Sequence, residues 1–133
     1  MLRLRLAPLL ALLMVGCVAV ESDALVDPME YGCDDVVVIG RVSVLAETPT
    51  DSSGDLLGHS VWDLEIKIKR VLRGRERRMV IPAVGVSHAQ IRGDLDLIIV
   101  LSKPETGNAY RIRTLNVWES GIRLAEKCTA KPA

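Results

Sequence analysis

Strict alternation of apolar and charged residues in one segment does most to limit the folds open to this chain. The apolar positions are Trp62, Leu64, Ile66 and Ile68, and the charged positions between them are Asp63, Glu65, Lys67 and Lys69. A period of two is that of a β-strand with one face in a core and the other in water. Such strands are typical of antiparallel sheets. The segment therefore predicts an all-β domain.

Four further segments are predicted to be strands. Residues 36–46 begin nearly continuously apolar, which is typical of a strand buried on both faces, and then alternate. The others are 79–81, stopped by Pro82, then 95–101 and 110–115. A break in parity at 70–72 predicts a bulge or the end of the strand, and 47–58 is predicted to be a long exposed loop.

Five strands without a long helical pattern predict a small barrel or sandwich, followed by a short C-terminal helix over 118–128. We expect the core to contain the four apolar residues of the alternating segment together with Val38, Val42, Leu97 and Ile99.

The start of the chain has the pattern of an export signal. Arg3 and Arg5 precede an apolar stretch at 6–15, and Gly16 precedes Cys17. Ten helical residues would rise about 15 Å, half the thickness of a bilayer core, so this stretch is too short to span it. We predict that 1–16 is a signal peptide that is removed on export.

Residues 13–17 resemble the bacterial lipobox, in which a small residue precedes a Cys that is acylated and becomes the mature N-terminus. The resemblance implies that Cys17 carries palmitate-like chains, which would hold the protein on a membrane without a spanning helix. Val18 rather than Asp follows the Cys, which favours the outer membrane, facing the periplasm. The alternative is an ordinary secretory signal cleaved a few residues later, with Cys17 discarded.

The three cysteines fit this interpretation. Lipidation of Cys17 would leave Cys33 and Cys128 to form a disulfide in an oxidising compartment, and two unpaired thiols are the alternative. Residues 17–35 carry six acidic residues and no Lys or Arg, so we predict a solvated acidic tether. The acidic residues lack the regular spacing of a calcium loop. The barrel would then occupy 36–128, and 129–133 would be a tail.

The chain contains the segments Cys33 to Val42 and Val71 to Gly74, then Gly93 with the later run Leu97 to Val100, and a late Cys128. Together these segments resemble the netrin-like and tissue-inhibitor-of-metalloproteinases superfamily. The resemblance implies a five-stranded OB-fold-like Greek-key barrel with C-terminal helical turns and a Cys pair at its N-terminal edge. It does not extend to the zinc-chelating N-terminal Cys of those inhibitors, because Cys33 is internal and is followed by Asp34 and Asp35.

The sequence offers no catalytic constellation. It has neither a His-Glu-x-x-His nor a Cys-x-x-Cys pair, and no Gly-x-Ser-x-Gly elbow. The two histidines, His59 and His88, are expected to be solvated at loop edges. We therefore predict no catalytic residue, no metal and no cofactor.

The strongest local feature is a basic stripe with a single intervening acidic residue, Glu76. Its members are Lys67, Lys69, Arg70, Arg73, Arg75, Arg77 and Arg78. Sites for single-stranded nucleic acid need aromatic platforms, and this chain has no Phe and only scattered Trp and Tyr. With 17 basic and 17 acidic residues, the net charge of zero gives no further reason to expect nucleic acid. The stripe instead suggests anionic headgroups or an acidic envelope protein, or simply a soluble edge that prevents aggregation.

The sequence thus predicts a non-enzymatic, lipid-anchored envelope protein that acts as a binding module. One alternative is an inhibitor of an envelope protease that uses the barrel edge and the 47–58 loop. Another is a small periplasmic hydrolase, which would need His59 or His88 beside a Ser or a carboxylate.

Overall fold

The computed structural model describes residues 27–51, 53–118 and 122–131. The predicted signal peptide, the lipidation of Cys17 and the first part of the tether lie outside these residues. These features therefore stay predictions.

Five strands form the regular structure of the described residues. They are β1 (Val36–Pro49), β2 (Ser60–Arg73), β3 (Val80–Ser87), β4 (Leu97–Ser102) and β5 (Tyr110–Val117). The predicted all-β class and the five strands are confirmed. No helix in the described part of the chain is long and apolar enough to cross a membrane.

The strands close into a barrel in the order β1-β2-β3-β5-β4. β1 pairs with β2 along most of its length and with β4 through Val36 to Gly40, both antiparallel. β3 and β5 are the parallel neighbours, joined only at the pairs Ala83 with Tyr110 and Val84 with Arg111. Since β1 is paired on both sides where it begins, the barrel has no exposed edge there.

The barrel interior holds the predicted core. All eight residues expected from the pattern are buried in one cluster, which also includes Val36, Ile81 and Leu101. Leu64, Ile66 and Ile99 are at most 1% exposed. Burying an aliphatic side chain of this size contributes about 1.5 to 3 kcal/mol, so the alternating face of β2 is a main source of stability.

A second apolar cluster covers the outer face where β1 meets β4. Val37, Ile98 and Val100 point away from the barrel interior and pack with Tyr31, Met29 and Leu124 from the two ends of the described chain. Both faces of this part of β1 are therefore buried, as predicted. Residues 43–49 of β1 are all exposed, so neither face is covered there, and the predicted alternation does not continue as a buried face beyond Val42.

Three details of the strands differ from or refine the predictions. Pro82 does not end β3, which continues to Ser87. At Pro82 the strand is paired with Glu65 of β2, and its pairing with β5 starts only at the next residue. The missing N–H of Pro82 therefore does not interrupt the pairing with β5. The predicted bulge is confirmed, since the β1–β2 register shifts next to Val71. β1 extends to Pro49, which shortens the predicted loop.

The two ends of the described chain are linked beside the barrel. Cys33 and Cys128 form the predicted disulfide across a sequence separation of 95. A loop of that length corresponds to about 4 to 5 kcal/mol of stabilisation in the chain-entropy model. Met29 bridges to Leu124, and Gly32 bridges to Thr129.

These contacts change two expectations at the domain ends. Tyr31 and Asp35, placed in the solvated tether by the sequence, are 8% and 7% exposed, because they pack against the barrel. Described residues 122–128 are not helical, and Leu124 pairs with Met29 in an extended bridge instead. The predicted C-terminal helix is therefore absent from the part of 118–128 that the structure describes.

Candidate functional site

All seven residues of the predicted basic stripe are exposed, but the barrel does not gather them into one surface. Lys67 and Lys69 point outward from β2, because the alternation of that strand turns its apolar residues inward. Arg70 and Arg73 follow the shift in register at the end of β2. Arg75, Arg77 and Arg78 lie on the connection to β3.

One group of cations surrounds Asp96, just before β4. Arg41 Nε donates to Asp96 Oδ1 at 2.7 Å, and Lys69 Nζ donates to Asp96 Oδ2 at 2.7 Å. Hydrogen bonds from Lys69 and then from Arg41 lower the pKa of Asp96. Lys67 lies directly across from Arg41 in the β1–β2 register. A single carboxylate thus orders two cations beside a third.

Arg70 joins the same region through Trp118. Its guanidinium carbon is 5.7 Å from the centre of the indole ring, within cation–π range. The backbone N–H of Trp118 donates to the carbonyl of Asp96 at 2.8 Å. We call Arg41, Lys67, Lys69 and Arg70 around Asp96 the Asp96 cluster. With four cations and one anion, it carries a net positive charge.

Two other residues of the stripe have structural partners. Arg73 Nε donates to the Tyr31 hydroxyl at 3.3 Å, and its guanidinium lies over that ring. Arg78 Nη2 donates to Glu76 Oε2 at 2.9 Å. These two arginines hold the barrel end together, so they are less suited to binding a ligand.

Glu76 accepts hydrogen bonds from more than one residue, of which Arg78 is the first. The Tyr110 hydroxyl also donates to Glu76 Oε2, at 2.7 Å. Hydrogen bonds from Arg78 are the main cause that lowers the pKa of Glu76 to about 2. Arg75 and Arg77, by contrast, form no ion pair with any described residue.

The two histidines, predicted to be solvated at loop edges, also contact other side chains. His59 Nδ1 lies 2.7 Å from Asp55 Oδ2, and the ring centres of His59 and His88 are 5.6 Å apart. A carboxylate beside a histidine meets one requirement of the hydrolase hypothesis. The neighbouring hydroxyls are engaged elsewhere, since Ser60 Oγ donates to Glu47 and Ser87 Oγ donates to the carbonyl of Ala89. Neither serine is positioned as a nucleophile for His59.

An open cavity lies where β3 and β5 diverge beyond their two parallel pairs. Its volume is about 360 Å³, and its apolar lining includes Ile91, Leu97, Ile112 and Leu115. The sequence did not predict it, because the divergence depends on the pairing of strands distant in the chain. No group of three or more His, Cys, Asp or Glu side chains in the described residues is placed to hold a metal ion.

Searches with protein-family models, among curated proteins and among solved structures find no match to this chain. The functional argument therefore depends on the residues and their arrangement.

Proposed function

We propose that this protein is a non-enzymatic, lipid-anchored module of the bacterial cell envelope that binds anionic headgroups through the Asp96 cluster. The observation that carries the proposal is the pairing of two exposed cations, Arg41 and Lys69, with one carboxylate. The two further exposed cations of the cluster, Lys67 and Arg70, lie beside Lys69 on β2. Arg41 and Lys69 remain 52% and 48% exposed while they contact Asp96. Their outer surfaces are therefore accessible to phosphate oxygens.

The strand order supports an OB-fold-like barrel. β1 pairs with both β2 and β4, and β3 meets β5 in parallel. OB-folds commonly bind ligands on the face of their second and third strands and on the neighbouring loops. Lys67 lies on that outer face, between Arg41 of β1 and Val80 of β3. The topology thus favours this side of the barrel as the binding side.

The proposed anchor would act together with this face. Acylation at Cys17 would keep the domain at a membrane surface, where the local concentration of headgroups around it is high. Each Lys or Arg close to an anionic surface contributes about 1 kcal/mol of binding. The orientation of the barrel on the membrane would then be set by the Asp96 cluster.

Vesicle binding by the full chain, purified from bacterial membranes, tests this proposal. Phosphatidylglycerol vesicles and phosphatidylcholine vesicles should accept the acyl anchor equally, so the difference in binding between them reports the charge contribution. We expect a preference for phosphatidylglycerol that falls as salt is raised.

The variant Lys67→Glu/Arg70→Glu should lose at least roughly thirtyfold of that preference, because each lost cation contributes about 1 kcal/mol and the two new carboxylates repel the anionic surface further. The matched control is Lys103→Glu/Lys127→Glu, which makes the same change in charge at two exposed positions outside the cluster. Equal losses in both variants, or no preference in the parent protein, would refute headgroup binding at this face.

One observation favours the protease inhibitor as a second candidate. Leu56 and Leu57 are 99% and 67% exposed on the loop between β1 and β2. Asp55 holds that loop, because its Oδ1 accepts the backbone N–H of Leu57 at 3.2 Å. An exposed apolar pair on a fixed loop is suited to a protease subsite. Inhibition of an envelope protease that is lost in Leu56→Asp but kept in Leu45→Asp, at another exposed leucine, would support this candidate.

A further inference from the structure

The fold brings together the only two histidines of the chain. Ser60 at the start of β2 pairs with Ser87 at the end of β3. His59 and His88 are the next residues outward on the two strands, so they face each other at the open end of this pair. Their ring centres are 5.6 Å apart.

The ring and backbone of His59 are both fixed. Its Nδ1 and its backbone N–H each lie 2.7 Å from Asp55 Oδ2. The Thr50 hydroxyl donates to the His59 carbonyl at 2.8 Å. The Asp55 carboxylate thus contacts His59 through both the ring and the backbone. Since a carboxylate only accepts hydrogen bonds, Nδ1 of the neutral imidazole carries the hydrogen and donates it to Asp55, which leaves the Nε2 lone pair available.

This arrangement is the one used by histidines that bind metals. A metal-binding imidazole commonly donates its second nitrogen to a carboxylate, which fixes the tautomer and the ring orientation. The side chain of His59 is 37% exposed, whereas that of Asp55 is 13% exposed. The imidazole is thus more exposed to solvent than the carboxylate that fixes it.

His88 supplies the second nitrogen from a fixed turn. Ser87 Oγ accepts the N–H of Ala89 at 3.0 Å and donates to its carbonyl at 2.8 Å, which closes the turn around His88. The His88 ring is exposed and has no hydrogen bond to any described residue.

The spacing of the two rings suits a shared ion. They meet at 83°, and the exposed His88 ring can turn about its broad second side-chain torsion. Two imidazole ligands of one tetrahedral zinc ion have ring centres roughly 5 Å apart, and a small shift of the exposed His88 side chain would give the narrower angle of a tetragonal copper ion.

We propose that His59 and His88 bind one late first-row divalent metal ion, with Asp55 as the positioning residue. Imidazole nitrogens suit copper and zinc, and the general order of affinity places Cu²⁺ above Zn²⁺. Because the described residues offer no third ligand, water occupies the remaining positions. The site is therefore an exchangeable surface site rather than a structural metal centre.

A titration of the full chain with Cu²⁺ alone, without an affinity tag that contains histidine, tests the proposal. Trp62 lies close to the site, since its Nε1 donates to the Ser87 carbonyl at 3.3 Å. We expect one equivalent of Cu²⁺ to quench tryptophan fluorescence and to give an electron paramagnetic resonance spectrum with two nitrogen ligands. Zn²⁺ should compete more weakly.

Variants separate this site from adventitious binding. His59→Ala and His88→Ala should each remove one nitrogen from the spectrum, and the double variant should abolish the one-equivalent binding. Asp55→Asn should weaken Cu²⁺ by roughly 10- to 100-fold, as loss of an orienting carboxylate does elsewhere. Asp51→Asn, at an exposed position on the same loop, and Cys17→Ser should leave binding unchanged.

Unchanged binding in the double histidine variant, or no one-equivalent binding by the parent protein, would overturn the proposal. The unfolding midpoint of each variant without metal shows whether a loss of binding is a loss of fold. Since His88 is exposed, His88→Ala should keep the parent midpoint and still lose the site.

Discussion

Asp35 accepts a hydrogen bond from Arg113 Nη1 at 2.8 Å, although the two residues are 78 positions apart in the chain. The side chain of Asp35 is 7% exposed, and that of Arg113 is 53% exposed. The same carboxylate accepts the backbone N–H of Gly32 and, at 3.3 Å, the hydroxyl of Ser102. It thus joins the segment before β1 to the end of β4 and the middle of β5.

Replacing Asp35 by Asn should destabilise the protein by about 1 to 3 kcal/mol, because a buried acceptor of charge-assisted hydrogen bonds is lost. Urea unfolding followed by tryptophan fluorescence measures the change. Asp34→Asn is the control, since Asp34 is exposed and a change there should stay within about 0.5 kcal/mol. Equal midpoints for the two variants would show that the Asp35 contacts contribute little.

β1 and β2 approach each other so closely at Gly40 that no side chain fits between them without a shift of the backbone. A Cβ at this position would lie 2.6 Å from the carbonyl oxygen of Lys67, which is backbone and cannot move aside cheaply. Gly40→Ala should therefore cost about 1 to 3 kcal/mol of stability, as overpacking of a core does.

Gly85→Ala is the matched control for this glycine. A Cβ there would meet only side-chain atoms, the nearest at 3.5 Å, which is ordinary contact. The free energy of unfolding should change little. Thermal and urea unfolding of both variants would check the contrast, and an intact Gly40→Ala protein with the parent midpoint would contradict it.

The sequence predicted the fold wherever the pattern was local. The alternation in β2 placed Leu64, Ile66 and Ile68 in the core without knowledge of any partner strand. The number of cysteines led to the Cys33–Cys128 pair once Cys17 was assigned to the anchor. The prediction that Pro82 stops the third strand was wrong. A proline interrupts a sheet only where its missing N–H is needed by a neighbouring strand, and the sequence does not show which strands are neighbours.

The candidate site was less predictable, since it depends on register. Lys67 and Lys69 were expected to face solvent, but Arg41 was missed because it is far from the stripe in the chain. Its position follows from the pairing of Arg41 with Lys67. Asp96 lies just before β4, which is also distant from the stripe in the chain. His59 and His88 were treated as separate for the same reason, although the Ser60–Ser87 pair fixes them side by side.

Glu76 should make the stability depend on pH in the acid range. Its pKa is about 2 in the folded protein and 4.5 ordinarily, so the folded state favours the ionised form. The stability contributed by Glu76 is fully present above about pH 4.5 and is lost as the pH falls towards 2. Glu76→Gln should lower the urea midpoint at pH 7 and flatten its decline between pH 4.5 and 2.

Glu126→Gln serves as the control for this pH dependence, because Glu126 is exposed and forms no ion pair with a described residue. Its midpoint should follow that of the parent protein at every pH. Asp55 and Asp94 also have pKa values of about 2, so part of the acid sensitivity should remain in Glu76→Gln. An unchanged slope in that variant would mean that the Arg78 and Tyr110 contacts do not persist in solution.

Removing the carboxylate from the Asp96 cluster should strengthen binding to an anionic partner. In Asp96→Asn the side chains of Arg41 and Lys69 lose their negative partner, so their charges face the ligand without internal neutralisation. One added unit of positive charge near an anionic surface contributes about 1 kcal/mol, or roughly fivefold in affinity for phosphatidylglycerol vesicles.

The control for this prediction is Asp94→Asn, which makes the same change in charge beside the cluster. Asp94 pairs with Arg92 there, and its side chain is 62% exposed. A larger gain in Asp96→Asn than in Asp94→Asn, abolished by Lys67→Glu/Arg70→Glu, would locate the binding face at this cluster. Equal gains would instead indicate that vesicles sense only the overall charge of the barrel.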